Sequence, residues 1–387
     1  MKPFAILTLI TTAAYGEKPF LSGEFIFPQE KLHNHSSMVV ELPGGELFTA
    51  WYRGSGERNA NDVALQFSRL KPGAKSWTPP QVLADVPNFP DCNPTVFIDS
   101  RKRLWLFWPT IVANEWHTAL LQYRVSSRYS AGPPKWDDGG PLLFIPRNFT
   151  EKSLEGLISM KALVTQGKRE SAWLGRMEEK AKDKYFSRMG WMPRAHPIEL
   201  PGGRMILPLY SDGYSYSIMA YTDDGGQTWH SSDPIPGAGN IQPSIARAKD
   251  GTLVTYMRDN GPPPKRLHVS ESKDNGVTWS PVRDTDLPNP GSGAEVINLK
   301  DGSWALIYND TERERFSLAI AISEDEGKTW RWKRHIESQP GGSFHYPSII
   351  QARDGSLHAT YSYFNKDGKT IKHAHFNIDW VKQGALR

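Results

Sequence analysis

Thr222-Asp-Asp-Gly-Gly-Gln-Thr-Trp229 is one of three close copies of a turn motif, here called the Asp box; the others are Ser272-Lys-Asp-Asn-Gly-Val-Thr-Trp279 and Ser323-Glu-Asp-Glu-Gly-Lys-Thr-Trp330. Their tryptophans are 50 and 51 residues apart, and two weaker copies end at Trp77 and Trp136. In each copy the Asp side chain can hydrogen-bond its own turn, and Gly can take the left-handed backbone conformation. A period of about fifty residues predicts a repeat architecture.

A second turn signal recurs in step with the Asp box. Glycine-containing pairs interrupt alternating apolar stretches at Gly44-Gly45, Gly202-Gly203, Asp250-Gly251, Asp301-Gly302 and Asp354-Gly355. An Asp-Gly pair between two strand-like runs indicates a hairpin. Each unit is therefore expected to contain a strand, an Asp-Gly turn, two strands, an Asp box and a last strand, which together form one four-stranded blade.

Six such units fit the chain, and they predict an all-β, six-bladed β-propeller. The inner strands are expected to begin near His35, Asn93, His196, Gln242, Gly293 and Tyr346. An early strand from Glu24 to Phe27 could close the ring against the last blade. Residues 17–387 then form one domain. Residues 151–190 break the period and are interpreted as an insertion between blades two and three, either partly helical and folded over one face or a solvated loop.

Composition and charge exclude several classes of protein. The 387 residues include 46 Lys and Arg, 42 Asp and Glu and a single Cys. A net charge of +4 is too small to indicate nucleic-acid binding, although it is compatible with an anionic ligand. One cysteine allows neither an internal disulfide framework nor a Cys-rich zinc site. No second apolar stretch follows the N-terminal one, so we expect no membrane span.

The N-terminal residues resemble an export signal. Met1-Lys2-Pro3 provides a positive start, Phe4 to Tyr15 is a short apolar stretch, and Ala14-Tyr15-Gly16 supplies small residues for cleavage. We predict that residues 1–16 are a signal peptide and that the protein is exported, to the periplasm or the medium. The alternative is an N-terminal strand or a cytosolic start.

The repeat also predicts where a functional site lies, because equivalent positions of all blades converge on the axis of a propeller. The inner-strand starts place His35, Asn93, Arg194 with His196, Gln242 and Tyr346 there. The ends of the second strands add Arg53, Asp212 and Arg258, and the starts of the third strands add Asp62 and Arg315. Converging arginines favour a carboxylate or sulfate substrate, because the guanidinium group pairs bidentately with such anions. Alternatively, some of these arginines pair with acidic residues between blades.

Three Asp boxes on a six-unit propeller resemble the exo-sialidases of the BNR, or Asp-box, type, over about residues 33–380. The resemblance implies three arginines around the substrate carboxylate, a tyrosine nucleophile activated by a glutamate, and an aspartate acid. By position, Arg258 and Arg315 match two of the arginines, Tyr346 matches the nucleophile and Asp62 matches the acid.

Two positions depart from the pattern of that family. The first arginine is missing, since the corresponding stretch reads His33-Asn-His-Ser-Ser, and Arg194 and Arg53 are the candidates to replace it. The glutamate position holds Gln242, an amide that cannot act as a base. An inverting variant is therefore open, in which a carboxylate or a histidine activates water and Gln242 orients it.

Three functions remain open at the level of sequence. The first is an exo-acting glycoside hydrolase that removes sialic acid, or a related acidic sugar, from glycans or glycoproteins. The second is a polysaccharide lyase or uronate-specific glycosidase in which Tyr346 or His35 moves protons. The third is a propeller that binds carbohydrate without catalysis. His33 and His35 have metal-like spacing but no third ligand in the sequence, so we predict neither a metal nor another cofactor.

Overall fold

A computed structural model of the protein describes residues 18–161, 168–237 and 239–384. The predicted signal peptide, residues 1–16, lies outside the described residues. Six antiparallel sheets follow one another along the chain, and each forms one blade of a β-propeller. The all-β, six-bladed fold expected from the repeat is therefore confirmed.

Blades one to three are built from the first half of the chain. Blade one contains β2 (His33–Glu41), β3 (Leu47–Gly54), β4 (Ala64–Leu70) and β5 (Gln81–Ala84). Blade two contains β6 (Thr95–Ile98), β7 (Leu104–Ile111), β8 (Ala119–Ser126) and β9 (Asp138–Pro141). Blade three contains β10 (Trp191–Pro193), β11 (Ile198–Glu199), β12 (Met205–Ser211), β13 (Tyr216–Thr222) and β14 (His230–Ser231). Both β10 and β11 pair with β12, so the inner strand of blade three is interrupted between them.

Blades four to six follow the same plan. Blade four contains β15 (Asn240–Arg247), β16 (Leu253–Asp259), β17 (Arg266–Ser272) and β18 (Arg283–Pro288). Blade five contains β19 (Glu295–Asn298), β20 (Trp304–Tyr308), β21 (Ser317–Ser323) and β22 (Trp332–Ser338). Blade six contains β23 (Ser343–Gln351), β24 (Leu357–Asn365) and β25 (Gly368–Phe376).

The ring is closed by the two ends of the chain. β1 (Leu21–Phe25) pairs antiparallel with β25 and becomes the outer strand of blade six, with Glu24 opposite His373. The prediction of an early closing strand is confirmed. Because a closed ring leaves no free sheet edge between its first and last blades, this pairing removes a site at which the propeller could otherwise open.

The insertion between blades two and three is helical, as one of the two interpretations expected. It contains α1 (Phe149–Lys161), α2 (Lys168–Lys182) and α3 (Lys184–Arg188). Phe149, Leu157 and Met177 are buried in one apolar cluster with Trp105 and Tyr214 of the neighbouring blades. The insertion is thus anchored to the propeller rather than solvated.

Two short helices complete the described fold. A single 3-10 turn (Trp116–Thr118) lies between β7 and β8, and α4 (Ile378–Lys382) follows the last strand. Across the part of the chain that the structure describes, no helix is both long enough and apolar enough to cross a bilayer.

Candidate active site

Four residues in or just before the inner strands have the same unusual backbone conformation at equivalent positions. Ser36, Asn93, Gln242 and Tyr346 have left-handed backbones, with φ values of 59°, 42°, 56° and 48°. At Ser36, Gln242 and Tyr346 the register of the ladder also shifts, as in a β-bulge. A left-handed backbone is unfavourable for residues with a side chain, and such strain concentrates at functional sites, where it re-aims side chains. These residues therefore mark the end of the propeller axis that holds the site.

A cavity of about 240 Å³ lies at this end of the axis, and every blade contributes to its wall. The lining residues are His35, Tyr52, Glu57, Asn93, Trp116, Tyr210, Asp212, Arg258, Arg315 and Tyr346. Most of them carry ionisable or hydrogen-bonding groups. A cavity with convergent polar groups is the expected form of a catalytic or binding site.

Tyr346 is at the centre of this group of side chains. Its phenol oxygen accepts hydrogen bonds from Gln242 Nε2 at 2.9 Å and from Arg258 Nη1 at 3.0 Å. The ring of His35 stacks on its ring at a centroid separation of 4.5 Å. The guanidinium of Arg194 lies 4.9 Å from the centroid of the Tyr346 ring, and that of Arg315 lies 5.8 Å away. Because both bonds to its oxygen are donated by nitrogen, the phenol keeps its own O–H free to donate.

The three arginines around Tyr346 lack anionic partners. Arg194 donates to the carbonyl of Pro347 at 2.9 Å, and Arg315 donates to the carbonyl of Gly291 at 2.7 Å. Arg258 donates to Tyr346 and to Asn260 Oδ1. None of these three forms an ion pair with a carboxylate of any residue in the described ranges, and the Nε atoms of Arg194 and Arg258 are buried without a hydrogen-bond partner. Buried guanidinium groups are normally paired, so this arrangement leaves a positive charge that an anion can neutralise.

Two histidines of the site are neutral at neutral pH. Burial lowers the pKa of His35 well below its ordinary value, and the charges of His345, His33, Arg315 and Arg194 lower it further. Burial and the charge of Arg315 likewise lower the pKa of His345. His345 Nδ1 lies 2.6 Å from Arg315 Nη1 and accepts its hydrogen bond, since a guanidinium can only donate. His35 Nδ1 bonds to Ser362 Oγ at 2.8 Å, which orients the ring against Tyr346.

Two carboxylates, Glu57 and Asp212, also line the cavity. Asp212 follows β12 directly, two residues after Tyr210, which holds the position of Arg258 in blade three. The repeat had placed Asp212 on the axis without a role. Glu57 lies in the loop between β3 and β4 and was not predicted at all. No counterpart of Glu57 recurs in the other units, so the repeat could not have revealed it.

Comparison with known proteins identifies the family. A model of the BNR repeat-like domain matches residues 45–169 and 172–359, which is more than half of the chain. The chain belongs to the BNR repeat-like domain family. The resemblance to Asp-box sialidases is thereby confirmed at the level of family and fold.

Relatives of this BNR-repeat protein are distant in sequence. An anhydrosialidase from Macrobdella decora is 25% identical over 191 residues, covering 44% of this chain and 24% of the relative. A sialidase from Bacteroides fragilis is 24% identical over 164 residues, covering 39% of this chain and 30% of the relative. The chain spans about a quarter to a third of the length of the curated relatives it matches.

Solved structures match almost the whole propeller. The intramolecular trans-sialidase of Ruminococcus gnavus, in complex with oseltamivir carboxylate, superposes with a TM-score of 0.67 at 14% identity, over 92% of this chain and 96% of that one. A protein of unknown function from Dyadobacter fermentans superposes with a TM-score of 0.69 at 16% identity, over 92% of this chain and 99% of that one. At such identities the likeness shows the fold alone.

The structure brings together most of the residues that the sequence selected for this BNR-repeat protein. Tyr346, His35, Asn93, Arg258 and Arg315 line the cavity. Gln242 and Arg194 contact Tyr346 from behind the wall. Asn93 Nδ2 donates to the hydroxyl of Tyr210 at 3.2 Å, so it supports a neighbouring wall residue.

Three selected residues lie outside the cavity. Arg53 is held by Glu30, with 2.6 Å between Nε and Oε1, and its side chain is 38% exposed. His196 lies in the break between β10 and β11, bonds to Glu295 and to the carbonyl of Val39, and lines a separate cavity. In blade three the side chain at the axial position is that of Arg194 instead. We therefore omit Arg53 and His196 from the site.

Asp62 is the third selected residue outside the cavity. It is exposed and accepts hydrogen bonds from the backbone N and the hydroxyl of Ser55, the latter at 2.8 Å. These bonds hold the pKa of Asp62 below its ordinary value. The carboxyl therefore carries no proton to donate at neutral pH, which disagrees with the acid role that the resemblance implied.

Glu57 adds a third possible metal ligand to His33 and His35, which the sequence alone did not reveal. Ligand atoms of His33, His35 and Glu57 lie within 4.8 Å of one another. However, His33 Nε2 and Glu57 Oε1 bond to each other at 3.0 Å, and Lys369 Nζ lies 3.3 Å from His33 Nδ1. The ammonium and the nearby guanidinium groups oppose a cation at this cluster. His35 and Glu57 line the cavity, and His33 contacts it through its bond to Glu57.

Proposed function

We propose that this protein is a sialidase-like glycoside hydrolase that removes a terminal acidic sugar, sialic acid or a related one, from glycans or glycoproteins. Arg258 and Arg315 bind the sugar carboxylate, the buried Arg194 adds positive charge next to Tyr346, and the ring of Tyr346 lies beneath the reacting carbon. The observation that carries the proposal is the group of three guanidinium groups without anionic partners around one tyrosine, described above.

Electrostatics support an anionic substrate over a neutral one. A neutral sugar would leave the three guanidinium groups without an anion in the complex, whereas a carboxylate accepts bidentate hydrogen bonds from Arg258 and Arg315. The trans-sialidase of similar fold binds oseltamivir carboxylate, a ligand that carries such a group. The sialidases among the distant relatives are consistent with the same substrate class.

A second candidate function is favoured by one observation. Tyr346 Oη has no carboxylate partner within the described residues, and the neutral ring of His35 stacks on the tyrosine at 4.5 Å. A neutral histidine beside a tyrosine could remove a proton next to a uronate carboxylate that the arginines neutralise. Such a lyase would leave a carbon–carbon double bond in its product.

One assay series separates the two functions. The purified protein is incubated with sialyllactoses, a sialylated mucin and uronate-capped plant or algal glycans. Released free acid and ultraviolet absorbance are both measured. We expect release of the acid without new absorbance. Absorbance from an unsaturated uronate would overturn the hydrolase in favour of the lyase, and no reaction with any glycan would contradict both.

A binding measurement tests the role of the arginines separately from catalysis. Calorimetry with the free acidic sugar found by the assay, and with its neutral methyl ester, compares wild type with Arg315→Ala. We expect the wild type to bind the acid at least tenfold more tightly than the ester, and the variant to lose this preference, because a charge-assisted bidentate bond is worth about 1.5–3 kcal/mol. Arg283→Ala is the matched control, because it removes an arginine of the outer strand β18 that pairs with Glu271. Equal binding of acid and ester by the wild type would contradict the proposed site.

We also propose that the protein is exported after cleavage near Glu17, which rests on residues 1–16 alone. N-terminal sequencing of the protein from a bacterial expression host, fractionated into cytoplasm, periplasm and medium, tests this. An uncleaved cytoplasmic product would contradict it.

A further inference from the structure

Asp212 is an unpaired carboxylate in the wall of the cavity. It forms no hydrogen bond and no ion pair with any residue that the structure describes, although it lies in a turn that is itself well defined. In that turn Ser215 N donates to the carbonyl of Ser211 at 2.6 Å. Burial raises the pKa of Asp212, and the charges of Arg258 and Arg58 only partly oppose this effect. Burying part of a carboxyl group without a partner reduces the stability of the fold. Such a group is typical of a site that contacts a ligand.

The helical insertion holds this turn in place. Tyr214 donates its hydroxyl hydrogen to the carbonyl of Met177 at 3.0 Å, and Lys180 Nζ donates to the carbonyl of Gly213 at 2.9 Å. Both bonds involve residues that directly follow Asp212 in the chain. The turn that carries the carboxylate is therefore fixed from outside the propeller, which keeps the cavity side of Asp212 open.

Glu57 differs from Asp212 in its bonding. One of its oxygens, Oε1, accepts hydrogen bonds from the hydroxyl of Tyr52 at 2.8 Å and from His33 Nε2 at 3.0 Å. The other oxygen, Oε2, is in no hydrogen bond among the described residues. Burial raises the pKa of Glu57, but the bonds from His33 and Tyr52 and the charge of Arg58 outweigh burial and hold it below its ordinary value. Glu57 is thus an oriented carboxylate with one oxygen available to accept a proton.

We propose that Asp212 is the proton donor and Glu57 the proton acceptor of the hydrolysis, and that Tyr346 is not its nucleophile. This inference rests on the proposed function. It follows from three features of the cavity: two carboxyl groups that line it from different blades, one of them unpaired and the other oriented; a tyrosine oxygen that receives two N–H bonds; and an amide, Gln242, where a base would be needed to activate that tyrosine. Pairs of carboxyl groups in unlike environments divide acid and base roles in many glycosidases.

The reaction is a single displacement. Glu57 takes a proton from a water molecule while the oxygen of that water forms a bond to the anomeric carbon. The glycosidic carbon–oxygen bond breaks, its electron pair stays on the leaving oxygen, and this oxygen takes the proton of Asp212. The products are the free acidic sugar with inverted anomeric configuration and an alcohol. Glu57 is left protonated and Asp212 ionised, and exchange with solvent restores both groups.

Leaving-group dependence tests the donor. Asp212→Asn is compared with wild type on a sialyllactose and on 4-methylumbelliferyl sialoside, whose phenol leaves without protonation. We expect the variant to lose about a hundredfold or more in kcat on the lactoside, as for loss of a general acid, but less than about tenfold on the aryl glycoside. The basic limb of the pH–rate profile should disappear. Asp223→Asn, which alters a surface carboxylate paired with Arg204, is the matched control. Equal losses on both substrates, or none on either, would overturn the donor role.

The acceptor and the stereochemistry are tested with Glu57→Gln and Tyr346→Phe. We expect Glu57→Gln to lose about a hundredfold or more on both substrates, and Tyr346→Phe to keep turnover. Proton NMR of the first product should show inversion. Thermal unfolding confirms that each variant is folded, and Glu57→Asp, which keeps a carboxylate, should retain more activity than Glu57→Gln.

Two outcomes of these experiments have different meanings. Retention of anomeric configuration, or a covalent adduct on Tyr346 after incubation with 2,3-difluorosialic acid, in a protein that does release the sugar, would overturn this inference and leave the proposed function intact. If the wild type releases no acidic sugar from any substrate, the proposed function fails and the inference fails with it.

Discussion

The Asp boxes and the axial cavity contain the same kinds of charged side chain, but the aspartates that form the boxes are hydrogen-bonded, whereas several charged groups of the cavity form no ion pair with any described residue. In the box of blade four, Asp274 Oδ1 accepts hydrogen bonds from Ser272 Oγ at 2.8 Å and from the backbone N of Thr278 at 2.9 Å, and Oδ2 accepts from Thr278 Oγ1 at 2.6 Å. Asp212, in the cavity, has no such partner within the described ranges. The same contrast separates Arg204, which pairs with Asp223, from the unpaired Arg258.

The difference teaches which polar groups serve the fold and which await a ligand. A fully bonded aspartate specifies its own turn and contributes to stability wherever it recurs. An unpaired carboxyl or guanidinium group reduces stability, because it loses water without gaining a partner, and it persists where the surrounding structure is strong enough. Substitutions in the two regions should therefore have opposite signatures: loss of stability in the boxes and loss of activity in the cavity.

Arg258→Ala should have the largest effect. We expect kcat/KM to fall on the order of a hundredfold or more, because the substrate carboxylate loses a bidentate, charged donor. The melting temperature should stay equal or rise, since an unpaired buried charge is removed. Steady-state kinetics and calorimetry on the same preparation test both. Arg204→Ala is the control and should show wild-type kinetics, and a variant of Arg258 that is unstable yet fully active would reverse the proposed contrast.

Three histidines of β24 and β25 provide the second test, because they are polar groups that do not line the axial cavity. His358 Nδ1 bonds to His373 Nε2 at 2.9 Å, and its ring stacks on His375 at 4.2 Å. Burial, with the charges of His373 and His375, lowers the pKa of His358 to about 3, and only Asp354 opposes the shift. Between pH 6.5 and pH 3, His358 is therefore protonated in the unfolded chain but not in the folded chain. The free energy of unfolding should fall by about 1.4 kcal/mol per pH unit over that window and be unaffected above it.

Urea unfolding across this pH range measures the effect. His358→Gln should flatten the slope below pH 6.5, whereas His230→Gln, which alters an exposed histidine of β14, should not. Identical slopes for wild type and His358→Gln would show that His358 does not carry the effect.

Asp274→Ala should have a smaller effect on stability and none on catalysis. Four turn hydrogen bonds are lost, but the box lies at the surface, so we expect the melting temperature to fall by only a few degrees. Activity at 25 °C should equal that of wild type. Asp212→Asn, measured in parallel, should show the reverse pattern. If both variants lost stability and kept activity, the two aspartates would be alike and the contrast would fail.

Sequence reasoning succeeded where a local pattern fixes the outcome. The Asp boxes and Asp-Gly turns depend on a few adjacent residues, so the six blades and the closing strand could be predicted. Tyr346, Arg258 and Arg315 were found because equivalent positions of a repeat meet on the axis. Glu57 could not be predicted, because it lies in a loop between two strands, and loops follow no period. The pairing of Arg53 with Glu30 could not be predicted either, because Glu30 precedes the first repeat unit.

Arg53→Met is expected to have the smallest effect of all. It tests whether an arginine that is paired within the protein is dispensable for activity. Arg53 lies next to Tyr52, which holds the position of Arg258 in blade one, and Glu30 binds Arg53 bidentately, with 2.8 Å between Nη2 and Oε2. A partly exposed pair of this kind contributes about 0–1 kcal/mol to stability. We expect kcat/KM to stay within about twofold of wild type, since the guanidinium already has its anion, and we expect the small loss of stability to vanish at high salt. A fall in kcat/KM comparable to that of Arg258→Ala would mean that Glu30 releases Arg53 when the substrate binds. In that case pairing in the free protein would not distinguish structural charges from functional ones.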